Sequence, residues 1–137
     1  MKLHTATRLG LYATLELARD PTRTLSAAEL GERFGVSPHS LAKVLGTLST
    51  AGLVQGGRGA AGGYRFTGNR RRITLMDIVA LFEPAPGNRA KEPGEDTEIG
   101  GALQLVLAEV DEIAEATLRS ISLETLLTHG HSRLSAL

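Results

Sequence analysis

The chain contains no cysteine and no tryptophan among its 137 residues. The missing thiols exclude disulfides, thiolate zinc sites and a cysteine nucleophile. Aromatic residues make up only 4% of the sequence, and no apolar run is long enough to span a membrane. Polar residues also interrupt the N-terminal stretch where a signal peptide would need a continuous apolar region. We therefore expect a cytoplasmic protein with no membrane partner.

The formal net charge is also zero, but the charges are unevenly distributed. Residues 1–72 hold eleven Lys or Arg and four Asp or Glu, whereas residues 73–137 hold four basic and eleven acidic residues. A basic N-terminal half suits a module that binds a polyanion. Solvated charges scattered by chance would give the same count, so this asymmetry needs support from other features.

Two capped helices follow one another in the N-terminal half. Ser26 and Glu29 form a capping box, and the first helix ends at Gly35. The second begins with Ser37 as N-cap and Pro38 in the first helical position, and it runs to about residue 51. Two short helices joined by a tight turn with glycine predict a helix-turn-helix. An ordinary helical hairpin with a solvated outer face is the alternative.

The second of these helices has one apolar side and one polar side. Leu41, Val44, Leu45 and Leu48 recur with helical spacing and predict the buried side. In a helix-turn-helix the second helix enters the major groove, so its remaining side chains are candidates for contact with DNA. These candidates are Ser37, His39, Ser40, Lys43 and Thr47.

The glycine-rich stretch from Gly57 to Gly62 matches G-x-G-x-x-G, the spacing of a dinucleotide-binding loop. That loop must open a helix whose N-terminus meets the pyrophosphate, and a phosphate-binding P-loop needs Lys followed by Ser or Thr. Here Gly63 leads into the aromatic segment that begins at Tyr64 and alternates like a strand. The glycines therefore predict the tip of a β-hairpin rather than a nucleotide site.

A helix-turn-helix followed by such a hairpin is a winged helix. Arg58 on the wing is predicted to insert into the minor groove, with Gly59 beside it allowing close approach. After the wing, Arg70 and Arg71 belong to a basic cluster that can contact backbone phosphate.

The longest helical pattern runs from Glu98 to about Arg119 and carries a heptad seam. The seam consists of Ile99, Leu103, Val106, Val110, Ile113 and Thr117. A stripe of this kind on a helix that follows a hinge favours a homodimer interface. Packing on the helix's own domain alone is the alternative.

The predicted fold class is mainly α with a small β-hairpin wing, a winged helix-turn-helix plus a long dimerisation helix. Residues 1–83 form the DNA-binding domain, and residues 84–97 form a loop or hinge. Residues 98–128 hold the dimerisation helix and a short C-terminal helix, and residues 129–137 form a loose tail.

With these elements in place, nearly the whole chain resembles the Rrf-type family of bacterial winged-helix transcription regulators. The most specific matches are Gly52-Leu53-Val54, then Arg58-Gly59, then Gly62-Gly63-Tyr64. The resemblance implies a homodimer that reads a roughly two-fold symmetric operator, with the helix from Pro38 in the major groove and the wing in the minor groove. Cluster-regulating relatives carry an acidic residue at the position of Ala42, so their sequence preference does not transfer.

A second departure concerns cofactors. Cluster-binding members of the family carry three cysteines in the loop before the dimer helix, and residues 84–101 contain none. His129 and His131 lie in the predicted tail and are not expected to hold a metal. We therefore expect no metal and no cofactor. A small-molecule effector between the winged domain and the dimer helix stays open.

These features favour a DNA-binding transcription regulator over an enzyme, because the four histidines are scattered without carboxylate partners at helical spacing. The rival hypothesis is a winged helix used as a protein-interaction module. The two differ in salt dependence, because binding to duplex DNA weakens steeply as salt rises.

Overall fold

The chain folds around six helices and one small sheet within the residues that the structure, a computed structural model, describes, namely 2–57, 62–84 and 88–135. The mainly helical fold class with a small hairpin is confirmed. The elements in chain order are α1 (Thr5–Arg19), α2 (Ala27–Phe34), α3 (Pro38–Thr50), β1 (Val54–Gly56), β2 (Tyr64–Phe66), α4 (Leu75–Phe82), α5 (Glu98–Arg119) and α6 (Leu123–Ser135).

Helix α1 lies at the centre and packs against α3, α4, β2 and α6. It is apolar on more than one side, so it has neighbours on several sides. Leu17 is fully buried in the common core, as are Leu45 of α3 and Ile78 of α4. Gly10 allows α4 to approach closely, because a Cβ atom there would lie 2.4 Å from the ring of Phe82.

The helix-turn-helix is set by local signals that the sequence carries. The Ser26 side chain accepts a hydrogen bond from the backbone of Glu29, and the Glu29 carboxylate accepts one from the backbone of Ser26. Gly35 ends α2 with a φ of 70°, a conformation that favours glycine. Gly31 lets the turn close, because a Cβ atom there would lie 2.6 Å from the Val36 carbonyl oxygen. The angle between α2 and α3 is therefore fixed by backbone contact.

The wing is an antiparallel pair in which Val54 faces Phe66 and Gly56 faces Tyr64. Leu25 joins this hairpin through an isolated β-bridge, since its N–H donates to the Tyr64 carbonyl at 2.9 Å and its carbonyl accepts from the Tyr64 N–H at 2.7 Å. Gly63 is required at this junction, because a Cβ atom would lie 2.9 Å from the Leu25 carbonyl carbon. The wing is thereby joined to the segment that starts α2.

The C-terminal region departs from the sequence-based prediction at one point. Helix α5 has the predicted bounds, but α6 continues to Ser135 where a loose tail was predicted from residue 129. The start of α6 is anchored, because Leu123 is fully buried and its N–H donates to the carbonyl of Ile73. Once a helix has been nucleated, each further residue that is fixed adds one hydrogen bond, so extension is easier than initiation.

Candidate nucleic-acid interface

Helix α3 presents two opposite faces. Leu41, Leu45 and Leu48 are fully buried against the core. On the opposite side, His39 and Lys43 are exposed and form no side-chain hydrogen bond with the described part of the chain. These two predicted contact residues are therefore free to meet a polyanion.

Three other predicted contact residues of this helix also serve the helix itself. Ser37 caps α3 by accepting a hydrogen bond from the backbone N–H of Ser40 at 3.2 Å, and the two hydroxyls lie 3.0 Å apart. Thr47 is half-buried, and its hydroxyl donates to the Lys43 carbonyl at 3.3 Å. The structure therefore places all five residues on α3 or at its N-cap, although only His39 and Lys43 have side chains that form no hydrogen bond within the described part of the chain.

The predicted wing contacts Arg58 and Gly59 lie outside the described residues. The base of the wing encloses an open hollow of about 320 Å³ lined mainly by backbone and glycine. Arg65 and Gln55 stand on its rim and are joined by a hydrogen bond of 3.3 Å. A surface with so few side chains allows another molecule to approach the backbone.

Arg70 and Arg71 differ in their surroundings. The Arg70 guanidinium donates to the Ala18 carbonyl at 2.9 Å and forms an ion pair with Glu124 at 2.5 Å. It thus links the end of α1 to α6, a structural task that the sequence pattern did not reveal. Arg71 is exposed and remains available for contact with phosphate.

The predicted heptad seam lies on the exposed side of α5. No residue of this helix is buried, and the seam residues Ile99, Leu103 and Val110 are 83%, 56% and 47% exposed. The opposite side, which includes Gln104 and Ala108, faces α4. The apolar seam therefore has no partner within the described part of the chain.

A cleft of about 760 Å³ separates α4 and the N-terminal segment from α5. Its lining includes the apolar residues Met76, Val79 and Ala108 and charges of both signs, such as Lys2 and Glu115. Cavities of this volume are typical of small-molecule sites.

Glu83 ties the N-terminus to the end of α4 beside this cleft. Its carboxylate accepts hydrogen bonds from the His4 backbone N–H at 2.8 Å and from the Thr7 hydroxyl at 2.7 Å, and the His4 ring nitrogen lies 2.5 Å away. Burial alone would raise the pKa of Glu83, but these hydrogen bonds together hold the pKa below its ordinary value. Sequence reasoning missed this contact, because the partners are 76 and 79 residues apart and neither forms a motif.

The lowered pKa of Glu83 predicts a pH-dependent contribution to stability. A carboxylate with a depressed folded-state pKa stabilises the fold above its unfolded pKa, and this contribution is lost as pH falls through the folded value. At pH 7, Glu83→Gln should therefore unfold at a lower urea concentration than the wild type, with a free energy of unfolding that is smaller by about 1 kcal/mol. The gap should narrow as pH falls below the ordinary pKa of 4.5 and should close below the folded-state pKa, which is lower. Glu109→Gln, at an exposed position of α5, is the control; a gap that persists in acid would contradict this account.

Comparison with known proteins identifies the fold and the family. Residues 3–129 match the family model described as "Rrf2: Iron-dependent Transcriptional regulator". The chain belongs to the Rrf2 family. This family consists of transcription regulators rather than enzymes, and its members are DNA-binding proteins with a winged helix.

The relatives support this membership along almost the whole length. This Rrf2 protein is 46% identical over 127 residues to BadM of Rhodopseudomonas palustris, named as an HTH-type transcriptional regulator, covering 93% of this chain and 81% of that one. CymR, the global cysteine regulator of B. subtilis, matches with a TM-score of 0.75 at 27% identity, covering 94% of this chain and 98% of CymR. IscR of T. potens matches with a TM-score of 0.74 at 27% identity, covering 95% and 88%.

The iron in the family description does not fit the donors of this Rrf2 member. The sequence has no thiol, and no group of three histidine or carboxylate residues able to hold a metal occurs in the described ranges. Iron–sulphur clusters are held mainly by thiolates. In the same part of the chain, no helix is long and apolar enough to cross a membrane.

Proposed function

We propose that this Rrf2 regulator acts as a homodimer that reads a roughly palindromic operator, with α3 in the major groove and the wing in the minor groove. The observation that carries the proposal is the pair of unpartnered surfaces, the polar face of α3 and the apolar seam of α5. The apolar seam is exposed to water in an isolated chain, and a second copy of the chain would cover it. The polar face of α3 has no partner within the described part of the chain, and DNA would provide one. The proposed domain division follows, with DNA binding before residue 84 and dimerisation through α5.

The DNA side of the proposal rests on charge and shape. His39 and Lys43 project from α3 without internal partners, and Arg71 lies exposed after the wing. The close backbone contact between Gly31 and Val36 fixes α3 relative to α2. Helix α3 therefore presents these residues in a fixed geometry, which base recognition requires. Arg58 and Gly59 extend the proposed contact into the minor groove. Arg70 supports this surface from within through its contacts with Ala18 and Glu124.

The dimer side rests on the exposed seam. Each aliphatic side chain left in water forgoes about 1.5–3 kcal/mol that burial would provide. The seam alternates by four and three residues, as a helix that packs on another helix requires. Two copies joined along α5 would be related by a two-fold axis, and their α3 helices would then read two half-sites of matching symmetry.

Selection of bound duplexes from a random pool at physiological salt tests the proposal. A dimer with two reading helices should enrich a palindrome whose half-sites are separated by about one helical turn. Binding should also weaken steeply with salt, because phosphate contacts release counterions. A protein-interaction module would enrich no sequence, and that outcome would contradict the proposal.

Two substitutions test the assignment of the grooves. Arg58→Ala and Lys43→Ala should each weaken operator binding by about 1–3 kcal/mol while leaving the melting temperature unchanged. Arg119→Ala and Lys91→Ala are matched controls, since Arg119 ends α5 and Lys91 lies in the loop before it. Fluorescence anisotropy on the selected operator gives the affinities. Unchanged operator affinity in both test variants would refute the assignment of α3 to the major groove and of the wing to the minor groove.

The cleft between α4 and α5 is the place that we propose for an effector, should the regulator respond to one. A ligand there would touch both the winged domain and the dimer helix, so it could alter the spacing of the two α3 helices. The site of action would be the cytoplasm, where bacterial DNA lies.

A further inference from the structure

Gly46 stands in the middle of α3, on the face directed away from the core. It is exposed and lies one turn along the helix from Lys43 and from Thr50. The neighbouring buried positions, Val44 and Leu45, face the other way. Gly46 therefore belongs to the same outward surface as the residues proposed to contact DNA.

Nothing in the fold requires glycine at this position. A Cβ atom added to Gly46 would meet no atom within 4 Å, and its φ is not positive. The glycines of α2 and of the turn that follows it differ, because Gly31 avoids a clash with the Val36 carbonyl and Gly35 has a φ of 70°. Those two glycines are explained by the protein itself, whereas Gly46 is not.

Glycine in this place weakens the helix. In a helix interior it is roughly fivefold less favourable than alanine in the helix–coil equilibrium. Three of the four residues that follow it, Thr47, Ser49 and Thr50, also have low helix propensity. The hydroxyl of Thr50 donates to the Gly46 carbonyl at 3.0 Å, so this side chain lies back along the helix. Few side-chain atoms therefore project from α3 around Gly46, and this arrangement reduces the stability of the helix.

We propose that Gly46 is the point of closest approach between α3 and the duplex, where the absence of a side chain sets how deeply α3 enters the major groove. The inference rests on the proposed function, since it takes α3 as the reading helix. A bare Cα allows base edges to come nearer to the helix axis than any side chain would, and the contacts of His39 and Lys43 earlier on the same face depend on that depth. Gly46 is then a specificity-determining residue, because its lack of a side chain allows the other residues of α3 to reach the bases.

The test separates helix stability from DNA binding. Gly46→Ala and Gly101→Ala both add a methyl group where no atom lies within 4 Å, the first on α3 and the second on α5. Both should raise the melting temperature by about 3 °C, because alanine favours the helix. Only Gly46→Ala should also weaken operator binding, by about tenfold or more, with a smaller loss on an unrelated duplex.

Several outcomes would overturn the inference. If Gly46→Ala binds the operator as tightly as the wild type, the helix does not come close to DNA at this point. An equal loss on the operator and on the unrelated duplex would place the contact at the sugar–phosphate backbone and refute the role in specificity. Measuring Lys43→Ala in parallel distinguishes failure of the inference about Gly46 from failure of the proposed function. A loss with Lys43→Ala but none with Gly46→Ala rejects only the role of Gly46.

Discussion

Val110→Glu should convert the proposed homodimer into monomers and reduce operator binding by at least a hundredfold. Val110 lies near the middle of the seam of α5, and in a dimer its counterpart would stand close by across the two-fold axis. Two carboxylates buried there without partners would cost several kcal/mol. Operator binding should fall by more than the loss of one contact suggests, because two linked reading helices gain from effective concentration that a monomer lacks.

Leu105→Glu is the matched control for this prediction. Leu105 is another apolar residue of α5 and is 76% exposed, but it lies off the seam. Sedimentation at micromolar concentration should show a dimer for the wild type and for Leu105→Glu, and a folded monomer for Val110→Glu. Circular dichroism establishes that the variant is folded. A wild-type monomer, or a Val110→Glu dimer, would refute the seam as the interface.

The second large effect concerns iron. Although the family is described as iron-dependent, we expect this protein to be colourless after anaerobic purification and to contain no stoichiometric iron or sulphide. Iron–sulphur cores prefer soft thiolate ligands, and the chain supplies none. Histidine or carboxylate can replace one or two thiolates, but they do not replace all of them.

The loop before α5 shows how its charged residues are used instead. Arg89 pairs with Glu95 at 2.7 Å, and Lys91 pairs with Asp96 at 2.8 Å. The backbone N–H of Glu92, together with Arg89, holds the pKa of Glu95 below its ordinary value. These side chains therefore bind one another, and adding iron or a chelator should leave operator affinity unchanged. A brown preparation with bound iron and sulphide would refute the prediction, and a cysteine-bearing member of the family purified in parallel is the control.

Much of the fold was predictable because its signals are local. The cap residues Ser26 and Ser37, the glycine that ends α2 and the alternation along the wing each act within a few residues. Such patterns depend on helix and strand geometry and can be read without knowing the rest of the molecule. The face of α3 that carries His39 and Lys43 followed from the same periodicity.

The features that escaped prediction depend on distant contacts. Arg70 reads as one of three neighbouring arginines, yet its partners Ala18 and Glu124 lie in α1 and α6. The contact of Glu83 with His4 and Thr7 joins the end of α4 to the start of α1. The extension of α6 depends on the burial of Leu123, which only the packed core reveals. Sequence periodicity holds no information on such pairings.

The short bridge between Thr74 and Ser122 has a consequence for how this protein can be divided. It places the segment after α5 beside the segment before α4, while Leu123 fills part of the core around α1. The C-terminal end of α5 is therefore tied to the body of the protein, and the side of α5 that carries Gln104 and Ala108 faces α4. A chain cut before α5 would lose Leu123, which belongs to the core around α1. The proposed DNA-binding domain and the proposed dimerisation helix therefore cannot be exchanged between relatives as separate units.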